Sequence, residues 1–493
     1  MTTFLIGLVI LFVGGAIYGK VCEGVMKPDD RKTPALVKAD GVDYVPMKTW
    51  RNSLINLLNI AGTGPIIGPI QGILFGPIAF ILIPIGNVLG GSLHDYFSGM
   101  LALRNNGMQM PDLVKKYTNK SVYNVYNVFI CLLMLLVGAV FIYTPGDIAA
   151  TQVFGFSGLA TDPTTWIVYG VIFVYYVCAT MYPIDKIIGR IYPIFGGILL
   201  LSAMGIFFGL FTRGYQLPNL TSETLITAHP AGQKLIPMFF ITVACGIISG
   251  FHSTQTAIIS RSVTSERQGR LTFYNMMVLE GFIAMIWAAA AIGTVSKGIT
   301  SAEQLLRTPV QVIGIVARDM LGNVGGLIAI IGVIVLPLTS GDTALRSLRL
   351  MIADFIKLDQ KSTANRLKIS IPVFLIVICV LVWAKFDTNG FNTLWRYFAW
   401  SNQTIAIFAF AIISIYLLGR GMKGAAMMSL IPGAWYAFIT FTFICNAPIG
   451  LNLPLNIAYV LGVVFAAVYA VLIYRKGINM WETKAPLETE PVY

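Results

Sequence analysis

Ionisable side chains inside long apolar runs are the first candidates for chemistry in this sequence. Glu280 lies within MMVLEGFIAMIW, His94 and Asp95 follow a largely apolar stretch, and Asp342 follows IAIIGVIVLPL. Charged groups in apolar surroundings are costly, so such positions commonly mark pathways for ions or protons. Histidine titrates near physiological pH, so His94 beside Asp95 could relay a proton. A buried structural tie between helices is the alternative for this pair, and a neutral hydrogen-bonded carboxyl group is the alternative for Glu280.

Asp342 belongs to a short polar motif. The motif reads Thr339, Ser340, Gly341, Asp342, Thr343. Hydroxyls and a carboxylate at this spacing could ligate Na⁺ through oxygen, or Asp342 could carry a proton. The alternative is that Asp342 pairs with a nearby arginine.

His94 and Asp95 are adjacent in the sequence and therefore lie on different faces of a helix. Each is expected to take a partner from another helix.

Two segments predict interrupted helices. The first, NIAGTGPIIGP over 59–69, contains three glycines and two prolines, which break helical hydrogen bonding. The second, GIISGFHSTQT over 246–256, turns abruptly polar after an apolar run. Transporters often bind substrate where membrane helices unwind. The expected substrate-binding residues are Gly62, Thr63, Gly64, Gly68, Ser249, Gly250, Phe251, His252 and Ser253.

The elements that position these residues are membrane-spanning helices. The chain is 56% hydrophobic and only 11% charged, whereas soluble domains carry about 25% charged residues. Apolar runs of about 20 residues predict about thirteen spans. They are expected at 4–19, 52–72, 75–103, 122–154, 164–181, 184–211, 236–260, 271–297, 322–350, 367–386, 394–418, 425–445 and 454–474. Residues 301–321 are expected to form a short amphipathic helix over the outer membrane face.

The distribution of basic residues predicts the orientation. With the N-terminus outside and the C-terminus in the cytoplasm, 27 of the 34 Lys and Arg residues fall on the cytoplasmic side. The two predicted breaks then open two five-helix units of opposite orientation, the LeuT-type inverted repeat. One N-terminal helix and two C-terminal helices are expected to lie outside these two units. The two five-helix units are expected at 52–211 and 236–418. The N-terminal extra helix and a cytoplasmic loop are expected at 1–51, an extracellular loop at 212–235, and the two C-terminal helices with a short cytoplasmic tail at 419–493.

Several other classes of function are excluded. The formal charge of +12 is explained by topology, so a nucleic-acid partner is not expected. The six cysteines show neither a disulfide framework nor zinc-ligand spacing. No nucleotide-binding loop, nucleophile elbow or metalloprotease pattern is present. The apolar N-terminal run has no preceding basic residue and is interpreted as an uncleaved first helix.

The stretch from Asn59 through Gln71-Gly72, Gly86-Asn87 and His94-Asp95-Tyr96-Phe97-Ser98-Gly99 to Arg104-Asn105-Asn106-Gly107 closely resembles the carbon starvation protein CstA family. Ser249-Gly250-Phe251-His252 and Leu336-Pro337-Leu338-Thr339 resemble two shorter family blocks. The resemblance implies uptake of peptides or pyruvate when carbon is scarce, and membership of the APC superfamily. The chain is shorter than well-known members and continues unusually as STQT after His252, which leaves the substrate open.

The resulting hypothesis is a secondary transporter in a bacterial inner membrane that imports a small nutrient. No cofactor is expected, and the coupling ion is H⁺ or Na⁺. The partners are the substrate and the bilayer. The competing hypotheses are a channel and a membrane sensor or enzyme with His94 and His252 as metal ligands.

Overall fold

Residues 1–493 are described by a computed structural model, except Val42, 182–184, Ile226, Lys361 and Tyr493. At 185–193, Thr339, Asp342 and Asp354, only the backbone is described.

The described chain is built from long helices, because a backbone inside a bilayer must satisfy its own hydrogen bonds. In chain order they are α1 (Thr2–Met26), α2 (Thr49–Ile60), α3 (Gly64–Phe75), α4 (79–104), α5 (Lys120–Val153), α6 (Pro163–Met181), α7 (Asp185–Thr212), α8 (Leu235–Thr242), α9 (Gly250–Ile259), α10 (Glu266–Ser296), α11 (Pro309–Phe355), α12 (Thr363–Phe386), α13 (Gly390–Gly419), α14 (Lys423–Asn446) and α15 (Leu455–Glu482). Short helices occupy Pro34–Val37, Met110–Tyr117 and Ala302–Arg307.

Within the described ranges, ten helices are long and apolar enough to cross a membrane. The pair α2 and α3, bent by 50° at the break between them, gives an eleventh span if the two are counted together. The two other predicted spans are also helical. Residues 75–103 correspond to α4, which contains a π-helical turn at Asn87–Gly91. Residues 236–260 correspond to α8 and α9, with a non-helical connection between them. The all-helical, multi-pass architecture predicted from hydropathy is thus confirmed.

One predicted boundary is confirmed. Residues 301–321 were expected to form a helix separate from the span at 322–350, and α11 consists of two helical segments that meet at Gly322. The backbone of Gly322 is non-helical, with φ of 74° and ψ of 178°. Glycine tolerates this positive φ, so one helical segment ends there and the next begins in a new direction. The position of 301–321 over the outer membrane face stays a prediction.

A buried ionic network fixes the C-terminal tail against the helix ends. Arg104 of α4 makes a bidentate salt bridge with Glu266: its Nε donates to Oε1 at 2.9 Å and its Nη2 donates to Oε2 at 2.8 Å. Glu488 of the tail accepts hydrogen bonds from Arg104 at 3.1 Å, from Arg31 at 2.8 Å, and from the hydroxyl of Tyr416 on α13. We call these five residues the tail network. It joins segments far apart in sequence on one face of the molecule.

Glu488→Gln is expected to loosen the tail. Burial opposes ionisation of Glu488, but Arg104, Tyr416 and Arg31 outweigh it, so its pKa is lowered. A lowered folded-state pKa stabilises docking above the unfolded value of about 4.3, and the stabilisation disappears as pH falls through the folded value. Loss of charge-assisted hydrogen bonds costs about 1.5–3 kcal/mol. Hydrogen exchange at the Thr489 amide, which bonds to the Arg104 carbonyl, should accelerate roughly tenfold or more at neutral pH.

The matched control is Glu482→Gln at an exposed position on α15, which should leave exchange unchanged. Equal exchange in the Glu488 variant and the parent protein would show that the network does not hold the tail.

Candidate functional site

The first predicted break is confirmed between α2 and α3. Helical geometry stops at Ala61 and resumes at Gly64, followed by Pro65. A Cβ atom added at Gly64 would fall well inside the van der Waals distance of Cys245 Sγ, and one at Gly68 would lie 2.8 Å from the Thr242 carbonyl oxygen. These two glycines therefore allow the first broken helix to pack directly against the second.

The second break is confirmed between α8 and α9. The chain leaves helical geometry at Val243, passes through Gly246 with φ of 89°, and re-enters a helix at Gly250. Asn402 of α13 stabilises the start of α9, because its Oδ1 accepts a hydrogen bond from the Phe251 backbone N–H at 2.8 Å. Two unwound segments thus lie side by side in the core.

A small cavity lies between the two breaks. Its polar lining consists of Asn59, Cys245, Ser249, Ser340 and Asn402. Its volume is about 10 Å³, room for one water molecule at most. A carboxylate or a peptide can enter only if the helices or side chains around it move apart, so the structure represents a closed conformation.

The predicted substrate-binding residues divide into four groups. Gly62, Gly64, Ser249 and Phe251 line the cavity. Thr63 is fully buried, and its Oγ1 atom has no hydrogen-bond partner among the described residues. Gly68, Gly250 and Ser253 make helix contacts instead: a Cβ atom at Gly250 would collide with the α13 backbone, and Ser253 Oγ donates to the Gly250 carbonyl at 2.6 Å. His252 faces a different cluster.

That cluster is a chain of four buried groups, which we call the buried relay. His94 Nδ1 lies 2.8 Å from Asp95 Oδ1, and Asp95 Oδ2 lies 3.0 Å from His252 Nδ1. His252 Nε2 lies 3.7 Å from Glu280 Oε2. All four side chains are at most 1% exposed. The relay connects α4, α9 and α10, and its members were predicted separately as proton or substrate contacts.

The relay has unused hydrogen-bonding capacity. Both carboxyl oxygens of Glu280 and Nε2 of each histidine have no hydrogen-bond partner within the described part of the chain. A buried polar group without partners is costly, so such a group usually serves a ligand, an ion or a proton. Small movements of His252 or Glu280 would close the 3.7 Å gap and complete the chain.

The expectation that His94 and Asp95 take separate partners is only half right. Asp95 does take one from another helix, His252 on α9. However, His94 bonds to Asp95 itself. Adjacent helical residues are about 100° apart, and the two oxygens of Asp95 let it accept from both rings. Helix periodicity therefore could not predict that Asp95 is the partner of His94.

The predicted motif on α11 is only partly described. Ser340 is 6% exposed, lines the cavity, and has an Oγ atom without a partner among the described side chains. The Thr339 and Asp342 side chains lie outside the described residues. Arg346 donates to the Ala179 carbonyl at 2.7 Å. Roles for Thr339, Asp342 and Thr343 in ion coupling therefore stay predictions.

Sequence reasoning missed Cys245 and underrated Asn402. Cys245 lines the cavity, and its sulfur lies within 4.8 Å of ligand atoms of His252 and Glu280. It thus connects the cavity to the relay. These three donor atoms also lie close enough together to approach a divalent cation, with His252 Nε2 and Glu280 Oε2 3.7 Å apart. For Asn402, the signal available in the sequence was its position in a polar interruption of an apolar helix.

Gly64→Ala is expected to reduce transport at least tenfold. The added methyl group would collide with Cys245 and force apart two tightly packed breaks. Gly90→Ala is a matched control, because no atom of the described residues lies within 4 Å of a Cβ atom there. Initial uptake rates in cells, normalised to membrane protein, would measure the effect. Restored uptake in a Gly64→Ala, Cys245→Gly double variant would confirm the cause, whereas normal uptake by Gly64→Ala alone would contradict it.

The fold matches solved structures of transporters. A manganese transporter of Eremococcus coleocola, solved as a single-substitution mutant, matches 88% of this chain and 94% of its own with a TM-score of 0.59 at 11% identity. MhsT in complex with L-phenylalanine matches 87% of this chain and 98% of its own with a TM-score of 0.58 at 13% identity. At these identities the likeness shows the fold alone, which is the LeuT-type fold.

Two of the following three curated relatives are named as transporters. A peptide transporter CstA of Helicobacter pylori is 25% identical over 85% of this chain and 77% of its own length. The pyruvate/proton symporter BtsT of Escherichia coli is 27% identical over 61% of this chain and 49% of its own. A membrane protein of Haemophilus influenzae, named as uncharacterized, is 38% identical over 59% of this chain and 91% of its own.

These relatives and the LeuT-type fold make the chain a multi-pass secondary transporter of the inner membrane, as the sequence predicted. The model of the family "Carbon starvation protein CstA" matches residues 1–151, 142–323 and 311–443. The two breaks, the cavity between them and the buried relay all lie inside this matched region, and the chain belongs to the carbon starvation protein CstA family.

Proposed function

We propose that the chain imports a small carboxylate-bearing nutrient, pyruvate or a short peptide, together with protons. The observation that carries the proposal is the contact between cavity and relay: Cys245 lines the cavity and also lies beside His252 and Glu280. A substrate in the cavity would thus sit one side chain away from a proton site. The names of two relatives, a peptide transporter and a pyruvate/proton symporter, agree with this substrate class.

The substrate would bind between the two breaks. Helix N-termini attract anions through free backbone N–H groups, and both α3 and α9 begin at this cavity. Ser249 and Ser340 would add hydroxyl donors. Phe251, which also lines the cavity, would cover the apolar part of the substrate. Both pyruvate and a peptide C-terminus carry the carboxylate that this arrangement suits.

The buried relay would carry the coupling proton. Its imidazole and carboxyl groups alternate at 2.8, 3.0 and 3.7 Å, and such a chain passes protons by hydrogen-bond exchange. Na⁺ prefers a shell of oxygen ligands, whereas the relay alternates carboxyl oxygens with imidazole nitrogens and both oxygens of Asp95 already contact histidine rings. The motif of Thr339, Ser340, Asp342 and Thr343 offers oxygens and is the alternative site for Na⁺ or for a second proton.

The architecture would work by alternating access. We place the two five-helix units at 52–211 and 236–418, with 1–51, 212–235 and 419–493 outside them. The N-terminus would face outward and the C-terminus the cytoplasm, as the basic residues indicate. The tail network would then lie on the cytoplasmic side.

Uptake by purified protein in proteoliposomes tests the proposal. Labelled pyruvate and a labelled dipeptide would be offered under an imposed proton gradient, sodium gradient or neither. We expect one of them to accumulate only under the proton gradient. Accumulation driven by sodium alone would move the coupling site to the α11 motif, and equal uptake without any gradient would contradict symport.

A further inference from the structure

The N-terminus of α9 is capped by a side chain from a different helix. Ser249 occupies the N-cap position with extended backbone angles (φ −142°, ψ 121°), but its own side chain makes no capping bond. Asn402 Oδ1 instead accepts from the Phe251 N–H at 2.8 Å and from Ser249 Oγ at 3.1 Å. An amide oxygen therefore sits where the helix N-terminus favours negative charge.

Asn402 also closes the cavity. It is fully buried and lines the cavity wall. Its Nδ2 donates to Ser249 Oγ at 2.9 Å and lies 3.7 Å from Cys245 Sγ. With Asn402 in place, only about 10 Å³ remains, less than a carboxylate group needs.

A second polar group in the cavity points to a ligand. Ser340 on α11 is 6% exposed, and its Oγ has no hydrogen-bond partner among the described residues. Buried hydroxyl groups are normally satisfied. A carboxylate has two acceptor oxygens, one for the Phe251 N–H and one for the Ser340 hydroxyl, whereas the single oxygen of Asn402 serves only the first.

We infer that Asn402 is an internal surrogate for the substrate carboxylate, which displaces it from a subsite formed by the Phe251 N–H and the hydroxyls of Ser249 and Ser340. This deepens the proposed function and rests on it in taking the cavity as the substrate site. Asn402 is uncharged and therefore binds a helix N-terminus less strongly than an anion does. The apparent affinity for substrate is reduced by the fraction of molecules in which Asn402 occupies the subsite.

The inference predicts opposite effects for two substitutions. Asn402→Asp places a permanent carboxylate in the subsite, so the dissociation constant for a carboxylate ligand should rise at least tenfold. Asn402→Ala removes the competitor, so the dissociation constant should stay the same or fall. A merely structural role would make both variants bind worse.

Equilibrium binding of labelled pyruvate and a labelled dipeptide to purified protein measures these effects. Ser401→Ala is the control, because Ser401 is equally buried and its hydroxyl bonds, among the described residues, only to the carbonyl of Phe398 in its own helix. Weaker binding of the labelled substrate by Asn402→Asp, together with unchanged or tighter binding by Asn402→Ala, supports the inference. Any other pattern, including loss in both, overturns it.

A second readout needs no substrate. In a variant that keeps Cys245 as its sole cysteine, Asn402→Ala should raise the rate of Cys245 alkylation by N-ethylmaleimide several-fold, while Asn402→Asp should not. Equal rates in the two variants would overturn the inference. If the parent protein binds neither pyruvate nor dipeptide, the proposed substrate fails, and the alkylation rates still decide the role of Asn402.

Discussion

Replacing Glu280 by glutamine is expected to reduce proton-driven accumulation of substrate about 100-fold or more. Glu280 is fully buried, its carboxyl oxygens have no hydrogen-bond partners among the described residues, and it lies at the end of the relay beside His252. Glutamine keeps the size and polarity of a protonated carboxyl group but cannot release a proton. A hundredfold effect corresponds to about 2.7 kcal/mol.

The glutamine variant should still exchange substrate across the membrane without net transport. Exchange requires only the loaded protein to change conformation, and the loaded protein already carries the proton. Counterflow of labelled substrate in proteoliposomes separates the two activities. Glu303→Gln, on an exposed helix where Glu303 pairs with Arg307, is the control and should behave like the parent. Loss of both accumulation and exchange in a folded Glu280 variant would assign Glu280 to substrate binding or structure instead.

Asp95→Asn is expected to be nearly as damaging, for a different reason. Asp95 accepts hydrogen bonds from both His94 and His252 through its two oxygens. Asparagine offers one acceptor and one donor group, so one ring must change its tautomer or turn away. Loss of a buried charge-assisted bond costs about 1.5–3 kcal/mol. We expect at least a tenfold loss of gradient-driven uptake together with a lower thermal stability in detergent.

Comparison of the uptake of Asp95→Asn with that of His94→Asn shows which part of the relay is needed for proton coupling. His94 lies at the end of the relay away from Glu280, so its loss should reduce uptake less than the loss of Asp95 does. Asp30→Asn, at a position that is 81% exposed and paired with Arg267, controls for removal of a carboxylate. Equal uptake by the Asp95 variant and the parent would remove Asp95 from the coupling path.

The features that depend on local chemistry could be predicted from the sequence. Glycine and proline are clustered at Gly62, Gly64 and Pro65, where they disfavour regular helix locally, so the first break was predictable. Spans were predictable because hydropathy alone decides which segments enter a bilayer. The boundary at Gly322 within α11 was also predictable, because an amphipathic segment is followed there by an apolar one.

The partners across the core could not be predicted. Asp95 and His252 are 157 residues apart, and Asn402 lies 151 residues from Phe251, whose backbone it caps. Such pairings depend on how the helices pack, which a periodic pattern does not encode. Asp147 illustrates the same limit, because the fold pairs it with Lys385 from α12, 238 residues away in the sequence.

The most direct test of the central claim is proton movement triggered by substrate. Proteoliposomes containing the purified protein and an internal pH-sensitive dye would receive pyruvate or a dipeptide with no imposed gradient. The account predicts internal acidification with the parent protein and none with the Glu280→Gln variant at equal incorporation. Substrate entry without acidification, or acidification that survives the Glu280 substitution, would contradict proton coupling through the buried relay.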